Sequence, residues 1–248
     1  MGEKNALHGL KINAAEKKSK WGWSCIRQMK ILFEKSRMGC IIYRRCAMGY
    51  RIITISRQFA SGGNAIAQKL AEKLGIKCYD REIIGKVAEE SGLCENFIEE
   101  KGEYGNKVAI EVFFSTGMYY NGPSVEDNIW ALQHKIITEL AEKEPCVIVG
   151  RCADYILKNR NDVMNVFIHA DKKARIERLL KESDKKIALP EVYLKEMDRR
   201  RSTYVQFYTD MKWGDSRNYD ITLNSTSLGQ DRAVEILAEL YNNGNAGN

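Results

Sequence analysis

The stretch Arg51-Ile52-Ile53-Thr54-Ile55-Ser56-Arg57-Gln58-Phe59-Ala60-Ser61-Gly62-Gly63-Asn64-Ala65-Ile66 decides the fold. Its opening is short, apolar and β-branched, as expected of a buried strand. Arg57 to Gly63 forms a loop of mostly small residues, and Ile66, Leu70 and Leu74 then share one face of a helix that Gly75 stops. A strand entering a helix through a Gly- and Ser-rich turn offers backbone N–H groups and a positive helix end to an anion. The context is that of a phosphate loop, but the letters depart from it. G-x-x-x-x-G-K-[ST] calls for Gly at 57, Gly at 62, Lys at 63 and Ser or Thr close behind, and only Gly62 is in place. On the letters alone, a plain structural turn and a phosphate site stand level.

The rhythm continues outward. Ile76-Lys77-Cys78-Tyr79 reads as a second strand, followed by Asp80 and a helix through Ile83, Ile84 and Val87. Ile129, Leu132, Ile136, Ile137 and Leu140 mark an amphipathic helix. Then come the strand Cys146 to Val149 ending at Gly150-Arg151, a helix at Tyr155 to Leu157, the strand Val163 to His169 and a charged helix from Asp171 to Lys181. A long basic helix carries Arg199, Arg200 and Arg201 into an aromatic stretch, Tyr204, Phe207, Tyr208 and Trp213. Tyr219 to Asn224 is the last strand, and a helix from about Gln230 to Tyr241 closes the pattern. Five short apolar strands separated by helices predict an α/β fold, a five-stranded parallel sheet covered by helices on both faces. Ligands in such folds sit at the carboxyl ends of the strands. Residues 95–123, punctuated by Gly102, Gly105, Gly117 and Gly122, read as a helical insertion with loops.

The charge is unevenly spread. Of the formal +6, residues 1–50 hold eleven Lys/Arg against three acids, leaving residues 51–248 at −2. The domain is therefore nearly neutral, and the positive charge belongs to a basic leader, residues 1–49. It is expected to be flexible or not part of the domain at 50–248; Met48-Gly49-Tyr50 would make a natural start. A basic leader of this kind could bind nucleic acid, but no specific nucleic-acid partner is expected. Seven cysteines without a C-x-x-C pair suggest plain thiols in a reducing cytoplasm, not a zinc or redox motif. No apolar run approaches the roughly 18 residues of a membrane span.

Agreement among separate segments goes further than the loop. The run from Ile53 through Leu70-Ala71-Glu72-Lys73-Leu74-Gly75 to Tyr79-Asp80 resembles the opening of the bacterial cytidylate kinases, P-loop nucleoside monophosphate kinases. Gly150-Arg151-Cys152-Ala153-Asp154, the helix Asp171 to Arg178, and Met197-Asp198-Arg199-Arg200-Arg201 look like that family's Gly-Arg-Asp region, Arg-bearing helix and Arg/Asp lid. Ser56-Arg57, Ser61-Gly62-Gly63, Trp213-Gly214-Asp215 and Tyr219-Asp220 are similar to the divergent cytidylate kinase-like group, over roughly residues 50–242.

The resemblance implies a P-loop NTPase fold with a helical lid at about 184–215. It also implies an ATP-dependent, Mg²⁺-assisted transferase acting on a nucleoside monophosphate, most consistent with CMP or dCMP. The alternative is a non-catalytic nucleotide-binding protein, because the loop lacks its Lys and Ser/Thr. The loop positions Ser56, Ser61, Gly62, Gly63, Asn64 and Ala65 are expected at ATP. Arg57, Arg199, Arg201 and Asp198 are expected at the chemistry, and Asp80, Arg81, Arg151 and Asp154 at the acceptor; no residue is assigned to a metal. Arg57 would replace the missing lysine from the other end of the loop. Successive helix residues lie ~100° apart, so only one or two of Arg199 to Arg201 can face one phosphate. Arg151 offers a planar fork to a phosphate or pyrimidine. Arg175 and Arg178 read as an ordinary solvated helix face. Ala60 is a further departure, unfavourable if the loop needs positive φ there. Restoring Lys at 63 and Thr at 65 is expected to show whether only those groups are missing.

Overall fold

The computed structural model describes residues 49–96, 98, 125–183 and 187–245. The basic leader, most of the insertion at 95–123 and the first residues assigned to the lid lie outside them. In chain order the elements are β1 (Ile52–Arg57), α1 (Gly63–Leu74), β2 (Lys77–Tyr79), α2 (Arg81–Ser91), α3 (Val125–Lys143) and β3 (Cys146–Val149). There follow α4 (Ala153–Ile156), β4 (Val163–His169), α5 (Lys172–Glu182), α6 (Pro190–Thr209), β5 (Ile221–Asn224), α7 (Ser225–Leu228) and α8 (Gln230–Asn245). The five strands form one parallel sheet in the order β2-β3-β1-β4-β5.

β1 lies at the centre, with Ile52 opposite Cys146 on one side and Val163 on the other. Every residue of β1 is buried, and its alternate side chains enter opposite layers, as the two-residue period of a strand requires. Ile53 and Ile55 join Ile66 and Leu70 of α1 and Val234 and Leu237 of α8. Ile52 joins Ile83, Ile136, Ile137 and Ile148 on the other face. Gly75 ends α1 at φ 65, its N–H capping the carbonyls of Ala71 and Glu72. The connection after β1 runs to one side of the sheet and that after β4 to the other, so a crevice opens beyond the carboxyl end of β1.

α6 docks through Tyr204 and Tyr208. Tyr208 stacks on Trp130 at 4.5 Å, and the Tyr204 hydroxyl donates to Gln133 Oε1 at 2.9 Å. These residues are one turn apart and share a face. Phe207 does not; it is 65% exposed and meets only the edge of Tyr208 among the ring contacts described. Among the described residues no helix is long and apolar enough to cross a membrane.

Candidate active site

The loop after β1 is held by its carbonyls. Arg201 Nη1 donates to the Arg57 carbonyl (3.0 Å), Arg175 Nε to Phe59 (2.7 Å), Arg178 Nη1 to Ala60 (2.6 Å) and Ser225 Oγ to Ser61 (2.6 Å). A trans peptide is planar, so each carbonyl turned into the protein sends the next residue's N–H the opposite way. The first N–H bonded within α1 is that of Ile66, to Gly62. The amides of Gly63, Asn64 and Ala65 precede it, at the positive end of a twelve-residue helix. The Ser61 hydroxyl is buried there with no hydrogen bond among the described residues. The loop does need positive φ at residue 60, the condition under which alanine is unfavourable there: Ala60 stands at φ 55. Ala60→Gly is expected to stabilise the protein by about 0.5–1 kcal/mol, since only Gly takes positive φ freely; an unchanged or lower melting temperature would contradict this.

Beside the loop lies a cleft of about 400 Å³. Five arginines line it, Arg57, Arg81, Arg151, Arg178 and Arg201, against two acids, Asp80 and Glu182. Such an imbalance in a concave, low-dielectric wall draws anions. Arg57, Arg151 and Arg201 are only 5%, 2% and 6% exposed, and they also line a cavity of about 20 Å³ that Ser56 and Cys152 help to enclose. Arg57 Nε donates to Asn64 Oδ1 at 2.9 Å, and Asn64 Nδ2 donates to Asp80 Oδ2 at 2.8 Å. The Arg57 Nη2 to Asp80 Oδ1 separation is 3.9 Å. Gly63 packs on the stem of Arg57: a Cβ there would lie 2.6 Å from Arg57 Cβ and 2.9 Å from Cγ. Space and charge at the two ends of the loop are thus linked.

Arg151 enters through a left-handed turn, with Gly150, Arg151 and Cys152 at φ 70, 58 and 53. Each non-glycine in that region costs roughly 1–2 kcal/mol, and the turn is fixed at its start by the Gly150 N–H bond to Ile55. Just beyond, burial lifts the Asp154 carboxyl from 3.8 to about 6, while backbone N–H groups only partly oppose it. The folded state therefore keeps this proton after the unfolded chain has lost it, and stability falls as pH rises from about 4 to about 6. Asp154→Asn is expected to flatten that slope and to add up to about 3 kcal/mol at neutral pH. Melts at acid and neutral pH that fall as steeply for the variant as for the parent would contradict this.

The structure brings Arg57, Ser61, Gly62, Gly63, Asn64, Ala65, Asp80, Arg81, Arg151 and Arg201 to the wall of one cleft. Four expected residues are elsewhere. Ser56 faces the small cavity and is bonded to the Tyr219 hydroxyl. Asp154 is buried and lines neither space. Arg199 turns outward and grips Glu196 with two 2.8 Å bonds, because it lies ~200° around α6 from the inward Arg201. Asp198 lines neither the cleft nor the small cavity; its carboxylate accepts from the Phe59 N–H (2.9 Å) and from Arg175 Nη2 (2.6 Å). Arg175 and Arg178, read from the sequence as a solvated face, instead hold the loop. Their one available signal was spacing: with buried Leu179 they form a single stripe of α5.

The profile described as the cytidylate kinase-like family matches residues 52–227. A cytidylate kinase of Archaeoglobus fulgidus is 29% identical over 189 residues, spanning 75% of this chain and 91% of the relative. One of Methanosarcina mazei is 26% identical over 193 residues, spanning 75% and 93%. The crystal structure of an uncharacterized protein from Eubacterium ventriosum superposes with a TM-score of 0.59 at 30% identity, covering 77% of this chain and 98% of the other.

Proposed function

Because the chain belongs to the cytidylate kinase-like family, we propose that it transfers the γ-phosphoryl group of ATP to a nucleoside monophosphate, with CMP or dCMP as acceptor. The observation that carries this reading is the convergence of Arg57, Arg151 and Arg201 on one wall beside the loop amides. A phosphate held against that wall would accept charge-assisted hydrogen bonds from more than one guanidinium. The wall fits a polyphosphate in chemistry as well as sign, since arginine offers planar pairs of donors to phosphate oxygens.

In this reading an acceptor phosphate oxygen attacks the γ-phosphorus while the bond to the β,γ-bridging oxygen breaks, and the leaving group is ADP. The transition state is mostly a problem of positioning and charge. The amides of residues 62–65 hold the donor phosphates, Arg57 neutralises charge at the transferred group, and Arg151 and Arg201 orient the acceptor. Asp80, which accepts from Asn64, is the loop-side carboxylate that would meet Mg²⁺ accompanying ATP, with most ligands then coming from phosphate and water. Bound there, the ion would screen the phosphate oxygens. Ala65 supplies no hydroxyl to it.

A coupled assay of ADP formation with CMP, dCMP, UMP and AMP tests the proposal. Turnover preferring a cytosine nucleotide is expected, and none with any acceptor overturns it. Saturable ATP binding without turnover would instead establish the nucleotide-binding alternative.

A further inference from the structure

Phe59 is held by its main chain on both sides. Its N–H donates to Asp198 Oδ1 at 2.9 Å, its carbonyl accepts from Arg175 Nε at 2.7 Å, and Arg175 Nη2 closes the ring on Asp198 Oδ2 at 2.6 Å. An ion pair between α5 and α6 thereby meets one loop residue with an acceptor and a donor together, as a neighbouring strand would. Neither partner lines the cleft. Arg175 is 7% exposed, so its forked geometry is fixed by packing as well as by its two bonds.

The next residue is Ala60, whose φ of 55 an L-residue keeps only when its surroundings enforce it. The clamp on Phe59 lies before this strained link and the Arg178 bond to the Ala60 carbonyl after it. Fixing the Phe59 carbonyl also fixes the direction of the Ala60 N–H. Released, the link relaxes towards negative φ and the amides that follow lose their common direction.

The geometry points to Arg175 and Asp198 as positioning residues that set the backbone of the loop for the donor phosphates and join it to α5 and α6. The role as stated rests on the phosphoryl-transfer reading above. It replaces the direct chemical role expected of Asp198. The pair lies outside the lining of the cleft and bonds to the main chain of Phe59, so it acts through Phe59 and Ala60.

Asp198→Asn tests this, because the amide keeps the shape but presents N–H where a carboxylate oxygen accepted. Arg175→Lys is the second variant: it keeps the ion pair but loses the fork that spans Phe59 and Asp198. Both are expected to lower kcat roughly 100-fold, the scale set by misplacement of a reacting group. The acceptor KM should stay within about twofold, since the acceptor side of the cleft is untouched. Hydrogen exchange of the Phe59 amide should quicken at least about tenfold as local opening becomes easier.

Parent-like kcat and Phe59 exchange in both folded variants would overturn the assignment. So would a lowered melting temperature with both unchanged, since the pair would then merely join two helices. A parent protein inactive on every acceptor retires the phosphoryl-transfer reading separately. Phe59 exchange, compared between parent and variants with and without ATP, still decides whether the pair sets the loop.

Discussion

Arg57→Met is expected to cut phosphoryl transfer by roughly 10³-fold, the scale of removing a preorganised charge from a transferring phosphoryl group. The position allows no easy substitute. Arg57 is buried at the end of the central strand and aimed by Asn64. The loop residue that would carry the conventional lysine is Gly63. Methionine keeps most of the apolar stem that packs on Gly63 while removing the guanidinium, so the fold should persist. Single-turnover rates with MgATP and CMP, alongside circular dichroism, make the measurement. A loss below about tenfold in a folded variant would mean that another group carries this charge.

Gly63→Lys is expected to inactivate the protein, although it restores the most familiar letter of a phosphate loop. A Cβ at 63 would lie 2.6 Å from Arg57 Cβ, near the backbone where a side chain cannot swing away. Overpacking of this kind costs about 1–3 kcal/mol, and here it also displaces the arginine. The conventional motif avoids the conflict because its first position is glycine. In this chain the two ends have exchanged contents: a cation at 57 and space at 63. The double variant Arg57→Gly with Gly63→Lys should therefore be more stable and more active than Gly63→Lys alone. Adding Thr at 65 to the single variant should not help. Melting temperature, ATP calorimetry and turnover distinguish these outcomes, and a Gly63→Lys protein as active as its parent would refute the exchange.

Several features were legible before any coordinates. Strand composition and helix spacing placed β3 and β4 to the residue and the other three strands to within two. β5 begins later than expected because Asp220 spends its carboxylate on the Asn165 N–H, ahead of the regular ladder. The sequence marked Ala60 as unfavourable only if the loop needs positive φ there, and the structure supplies that condition, with Ala60 at φ 55.

The roles of the arginines were not legible. Helix geometry says that Arg199 and Arg201 point apart, but not which one faces the loop. Arg201 faces in because Tyr204 and Tyr208 seat α6 against Trp130 and Gln133. Arg175 looks like any exposed cation in a charged helix, yet its partner is the main chain 116 positions away. Sequence determined the sheet, the loop that follows its central strand and the family. The tertiary structure decided which charges reach the cleft and which hold it in shape. Local pattern fixes the angle between neighbours on one element, whereas the direction of an element's face is set by packing against residues far along the chain.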